Sequence, residues 1–229
     1  MDRYNKIINK NEREIVLLKS FPCVWGKCAF CDYIDDNSKD EEAVNKLNME
    51  VLKNITGEYG VIEVINSGSC FEIPKTSLEK IRDIIKEKNI KLLFLESHWC
   101  YRNRLQEMRD FFNVPIIFKV GIESFDYNFR NNILNKNAKF KTVEEVKEYF
   151  QSVCLMVGIK GQTKELIDLD MKLLEENFKY GTVNVWTENT TKFKRDEEII
   201  KWFKEKYSYL DKHETIEVLY NNTDFGVGD

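Results

Sequence analysis

The sequence predicts an α/β fold, with parallel strands in a partial (β/α)6 barrel and helices packed outside. Three observations lead there. Short apolar runs recur at residues 14–20, 61–66, 92–95, 115–121, 152–158, 182–186 and 216–220. The stretches between them carry apolar residues at helical spacing, as Val44, Leu47, Val51 and Leu52 do. Six to seven such units fall short of the eight that close a full barrel.

In order, the first strand (Ile15, Val16, Leu17, Leu18) stops before Pro22, and a helix over 40–54 opens with acidic residues. The second strand is cut off by Ser67-Gly68-Ser69. Thr76 and Glu79 form a capping box for a helix over 77–88. A short helix near 102–111 follows the third strand, and a helical stretch at 127–134 follows the fourth. Thr142 and Glu145 make a second capping box. The fifth strand leads to a helix over 164–176, and the sixth to one over 196–207 whose Ile199, Ile200, Trp202 and Phe203 pack. No linker, repeat or low-complexity tract appears, so one domain over 1–229 is expected, with a cysteine loop at 21–33 and a short final strand and tail at 215–229.

The 229 residues are 42% hydrophobic and 32% charged, with a net charge of −4. Without a basic excess, binding to long nucleic acid is not indicated. No run of about 18 apolar residues spans a membrane. The polar N-terminus lacks a signal peptide's apolar core, so a cytoplasmic protein is expected. Six cysteines are too sparse for a disulfide scaffold and point to metal or catalysis.

Those cysteines are not evenly spread. Phe21-Pro-Cys-Val-Trp-Gly-Lys-Cys-Ala-Phe-Cys-Asp-Tyr33 places Cys23, Cys28 and Cys31 on one short loop after the first strand. Three thiols that close can converge on one soft metal centre. A structural zinc site needs a fourth protein ligand. Cys70, Cys100, Cys154 and the two histidines offer no second close pair. A four-iron cluster on three cysteines needs no fourth and keeps one iron open.

In parallel βα architectures the site lies at the C-terminal ends of the strands. Those ends carry Cys70 and Glu72; Glu96, His98 and Cys100; Gly121 and Glu123; Gly158 and Gly161; Trp186 and Glu188. Gly68 and Gly161 suit tight turns. Glu96 and Glu123 suit either cofactor contacts or surface ion pairs. Trp186 suits a stacking plane or the core. Cys70, His98 and Cys100 read as a second metal site or, preferably, as pocket lining. Cys154 reads as core and His213 as solvated.

Cys23-x4-Cys28-x2-Cys31, with Phe30 before the last cysteine and Tyr33 after it, resembles the cluster loop of radical S-adenosylmethionine (SAM) enzymes. The commonest family spacing has three residues where this chain has four. Ser67-Gly68-Ser69 is similar to the glycine-rich turn that holds the methionyl amino group. Gly121-Ile-Glu-Ser124 with Leu134-Asn-Lys136, and Val157 to Thr163, resemble the fourth- and fifth-strand segments. The resemblance implies a 4Fe-4S cluster on Cys23, Cys28 and Cys31, and SAM chelated to the open iron. It implies a 5′-deoxyadenosyl radical and an electron donor such as flavodoxin or ferredoxin. Phe30, Tyr33, Ser67, Gly68, Ser69, Glu96, Glu123, Gly158 and Gly161 are the implied cofactor contacts.

No auxiliary cluster, RNA-binding or cobalamin domain is visible, which implies a small-molecule substrate. Compact size, the four-residue gap, and the Ser-Gly-Ser-Cys and Glu-Ser-His-Trp segments resemble a salvage lyase within the superfamily. The implied reaction is release of queuine from queuosine or its 5′-phosphate. Cys70, Glu72, His98, Trp186 and Glu188 are the implied substrate contacts. A glycyl-radical activase and a zinc-binding module remain as alternatives.

Overall fold

The computed structural model describes residues 1–228. The chain divides into two compact units, Met1–Gly26 with Tyr33–Phe118 and Phe225–Asp229, and Lys27–Asp32 with Lys119–Asp224.

In the first unit the strands are β1 (Tyr4–Ile7), β2 (Arg13–Leu18), β3 (Val61–Asn66) and β4 (Leu92–Glu96), and the helices α1 (Glu41–Leu52), α2 (Lys75–Glu87) and α3 (Leu105–Phe112). β2, β3 and β4 run parallel, with Val16 opposite Val64 and Ile62 opposite Leu93. β1 was not expected. It pairs antiparallel to β2, Tyr4 opposite Val16. Its Tyr-Asn-Lys-Ile sequence is too short and polar to register as an apolar run.

The apolar runs form the core, where Ile15, Val16, Leu18, Val64, Leu93 and Leu95 are fully buried. Asp40 caps α1 by accepting from Ala43 N at 3.0 Å. From α1, Asn48 accepts from Lys19 N (2.8 Å) and donates to Lys19 O (2.9 Å), which fixes the chain just before the cysteine loop. The capping box expected at Thr76 is corrected. α2 begins at Lys75 with Pro74 in the capping position, so Thr76 lies inside the first turn. Proline presets the required φ and removes a donor that would be orphaned there.

β5 (Ile116–Glu123) begins in the first unit and ends in the second, which continues with α4 (Val143–Lys147), β6 (Ser152–Val157), α5 (Lys164–Asn177), β7 (Tyr180–Val185), α6 (Glu197–Lys206) and β8 (Ile216–Leu219). All pair in parallel, with Lys119 opposite Ser152, Cys154 opposite Thr182, and Thr182 opposite Glu217. A bulge between Gly121 and Glu123 ends β5. The helix expected over 127–134 is a π-helix, Asn128–Ile133. Thr142 does precede α4, but its side chain makes no capping bond; Lys141 N instead reaches Glu145 Oε1 at 3.3 Å.

Among the described residues, no helix is long and apolar enough to cross a membrane.

Candidate active site

In the first unit the site is built around Glu72. Its carboxylate accepts from Val24 N (3.1 Å), from Tyr101 Oη (2.9 Å) and from Ser69 N. Its carbonyl accepts from Phe21 N at 2.9 Å. Glu72 thus holds the residues on both sides of Cys23 against the end of β3. Burial raises the Glu72 carboxyl above the usual range, opposed by those donors. Gly68 lies so close that a Cβ there would be 2.9 Å from Glu72 Oε2 and 3.6 Å from Cys23 Cα. Ser67 donates to Asp36 at 3.1 Å, and the Ser69 and Ser97 hydroxyls are 3.2 Å apart.

Other residues singled out from the sequence settle nearby. Glu96 is half-buried at the end of β4. His98 Nδ1 accepts from Cys100 N at 3.2 Å and caps the turn over Trp99–Arg104. Cys70 is wholly buried, and burial pushes its thiol well above the usual value. The Cys100 thiol is pushed up to about 11 by burial, and also by Glu72 and Cys23. Tyr33 is 58% exposed.

In the second unit the rest of the cysteine loop is held at four points. Ala29 N donates to Leu134 O (2.8 Å) and Asn135 Nδ2 to Lys27 O (2.7 Å). Asn189 Nδ2 donates to Phe30 O (2.8 Å) and Asp32 Oδ1 (3.0 Å), and Thr190 donates to Asp32 through its N–H and hydroxyl. Cys31 N closes a turn onto Cys28 O at 3.2 Å. Phe30 is buried with Phe129, Leu134, Met156, Ile159 and Trp186, with Cys28 and Cys31 packed against this cluster. Its ring meets Trp186 edge-on, centroids 6.4 Å apart.

Above Phe30 lies Lys136, its Nζ 5.4 Å from the ring centroid and 2.7 Å from Glu123 Oε1. Burial pulls the Lys136 ammonium down, but Glu123 and the Cys28 and Cys31 thiols outweigh it and hold the group above the usual lysine value. Glu123 reaches this position from a left-handed backbone (φ +68°) just past the bulge. Behind it, Phe125 N donates to the buried Asp170 carboxylate at 2.6 Å. Arg130, fully buried, donates to the carbonyls of Ser124, Phe125, Ala138 and Phe140.

Gly158 has φ +95°, donates to Gln162 Oε1 at 2.7 Å and accepts from Asp196 N at 2.8 Å. Gly161 is an exposed turn residue at φ +101°. Glu188 is exposed, where it pairs with Lys194 at 2.9 Å and accepts from Arg195 N at 3.0 Å. Asp32, Asn135 and Asn189, which fix the loop, were not read from the sequence. Nothing in their local pattern separates them from ordinary turn residues.

The fit of a cluster rests on the donor set. Cys23, Cys28 and Cys31 are free thiols, all partly accessible, on a short loop tied down on both sides. The Lys136 ammonium interacts electrostatically with two of them, Cys28 and Cys31. Among the described residues no three His, Cys, Asp or Glu side chains, those of the loop cysteines included, are already gathered around one point where a metal ion would sit.

A parallel α/β chain with this three-cysteine loop after its first parallel strand belongs, as a class, to the radical SAM enzymes. Over the whole of both chains it is 53% identical to the queuine lyase from Clostridium spiroforme solved bound to SAM and queuine, with a TM-score of 0.98. At that identity and coverage, the chain belongs to the queuine lyase family. It is also 27% identical over 169 residues to an uncharacterized protein of Methanocaldococcus jannaschii, an alignment that covers 64% of this chain. The aligned part spans 44% of that relative's length. No family model matches the chain. The α/β fold of radical SAM type and the salvage-lyase resemblance expected from the sequence agree with the Clostridium structure.

Proposed function

We propose that this protein is a radical SAM lyase that releases queuine from queuosine or queuosine 5′-phosphate. The observation that carries the reading is the full-length likeness to a lyase structure bound to SAM and queuine. Cys23, Cys28 and Cys31 would hold a 4Fe-4S cluster, with its fourth iron left for the amino and carboxylate groups of SAM. When bound, cluster and cofactor supply reductive cleavage of the sulfonium and abstraction of a hydrogen from the substrate.

The chain's own residues orient and enclose. Glu72 fixes the backbone at Phe21 and Val24 on either side of Cys23, while Gly68 leaves room beside it. Asn189, Asn135 and the buried Phe30 fix the segment holding Cys28 and Cys31. Lys136 sets positive charge beside those two thiolates, and Glu123 balances it. Ser67, Ser69 and Glu96, polar groups at the ends of β3 and β4, suit contacts to SAM. Trp186 and His98, buried at the ends of β7 and β4, suit contacts to the substrate. A one-electron donor such as flavodoxin or ferredoxin would supply the reducing equivalent, and neither long nucleic acid nor membrane is needed.

Anaerobically purified protein should contain iron and sulfide. With SAM, reductant and queuosine it should yield 5′-deoxyadenosine and queuine in step. Zinc without iron, or deoxyadenosine formation with no base released, would overturn the reading.

A further inference from the structure

Residues along β7 alternate between two surfaces. Gly181 faces α5, since a Cβ there would run into Leu174, and Val183 and Val185 lie on the same surface. Thr182, Asn184 and Trp186 occupy the opposite one. There, three successive hydrogen-bonding side chains lack a partner among the described residues. Thr182 Oγ1 and Trp186 Nε1 are orphaned although their residues are only 3% and 6% exposed. Asn184, half-buried between them, makes no side-chain hydrogen bond.

Buried polar groups are nearly always paired, so two orphans on one strand face with a free amide between them mark a place for a ligand. The ligand's chemistry follows from what surrounds them. None of the three is charged. Their register neighbours are Cys154 and Met156 on β6 and, on β8, Leu219 beside Asn184 and the buried Glu217 beside Thr182. Phe30 meets the Trp186 ring edge-on. Around Asn184 and Trp186 the wall is apolar with a few neutral donors and acceptors, which suits a heterocyclic base, and the charged Glu217 lies at the Thr182 end. Side chains two residues apart on a strand stand about 7 Å apart, so Asn184 and Trp186 can touch one fused ring system together.

We propose that this face of β7 reads the base of the substrate. Asn184 matches its adjacent carbonyl and ring N–H, Trp186 Nε1 donates to a second acceptor, and Thr182 closes the deep end. The inference rests on the reading above that the base is queuine, whose 7-deazaguanine ring offers those groups. It makes Asn184 a specificity-determining residue.

The test measures binding of queuine and, separately, of SAM to the anaerobic cluster-loaded enzyme. Asn184→Ala and Trp186→Phe should each weaken queuine binding about tenfold, the worth of one buried hydrogen bond, and leave SAM affinity within about twofold. Asn184→Asp, which keeps the shape but loses the donor, should weaken queuine as well. Unchanged queuine affinity in all three variants overturns the proposal while the parent reading stands. Loss of SAM affinity with queuine binding intact assigns the face to adenine and also overturns it. If Asn184→Ala loses its circular dichroism, Asn184→Asp decides, and wild-type queuine affinity in that variant overturns the proposal. A wild-type enzyme that does not bind queuine removes the parent reading, and this inference with it.

Discussion

Lys136 Nζ lies 2.7 Å from Glu123 Oε1, with the two side chains 13% and 6% exposed. Gly121 makes the approach possible, since a Cβ there would stand 2.8 Å from Glu123 Oε1 and 3.1 Å from Lys136 Nζ. A buried charge left without its partner is costly. Lys136→Met should therefore destabilise the protein by about 3–5 kcal/mol in urea unfolding. Adding Glu123→Gln should recover much of that loss, because no lone charge then remains. A Lys136→Met variant as stable as wild type would show that the pair does not matter to the fold.

Asp170 on α5 gives a pH dependence of definite sign. Burial pushes its carboxyl up to about 7, against the hydrogen bonds from Phe125 N and Ser124. The folded state therefore holds this proton more tightly than the unfolded chain does. The contribution is complete below the ordinary aspartate value of 3.8 and is lost as pH rises towards about 7. The difference in Tm between wild type and Asp170→Asn, followed from pH 4 to pH 8, should shift against wild type as pH rises. A difference that is flat with pH would assign Asp170 an ordinary titration.

Iron content separates the cysteines. Replacing Cys23, Cys28 or Cys31 by alanine should remove most iron and sulfide from anaerobically purified protein. Cys100→Ser should retain both, because that thiol lies outside the loop. Full iron in any of the three loop variants would displace that cysteine from the ligand set.

Asn189 holds the Cys28–Cys31 segment from a distance in the chain. Asn189→Ala removes its bonds to Phe30 O and Asp32 Oδ1. Each is worth about 1 kcal/mol. The variant should lose iron to a chelator several times faster than wild type, with Tm lowered by about 4–8 °C. Equal rates would mean that the remaining ties through Leu134 and Asn135 suffice.

Gly158 is glycine for two reasons. Its φ is +95°, and an added Cβ would overlap Ile200 of α6. Gly158→Ala should cost about 2–4 kcal/mol from backbone strain and overpacking together. Combining it with Ile200→Ala should not restore wild-type stability, since the strained φ remains and a cavity is added. Thermal unfolding of the single and double variants measures both effects.

Most of the fold was legible because its signals are short-range. Apolar runs and helical spacing act within a few residues, so a linear reading finds them, whereas the N-caps at Asp40 and Thr163 were not read from the sequence. β1 escaped because four half-buried residues carry too weak a pattern. Thr76 misled because Pro74 starts the helix earlier. At the site, the sequence showed the cysteine loop, the glycine turn and Glu123. It did not show that Glu188 pairs at the surface with Lys194, or that Thr182 and Asn184 share a face with Trp186.

By itself the sequence determined that three thiols share one short loop after a strand, within an alternating α/β chain of queuine lyase type. Covalent spacing alone keeps those thiols near one another. Only the tertiary structure decided what surrounds them. Lys136 meets a carboxylate 13 residues away, and Asn189 meets a carbonyl 159 residues away. No local pattern encodes those partners, because hydrogen bonds and ion pairs between distant side chains depend on which strand ends folding brings together.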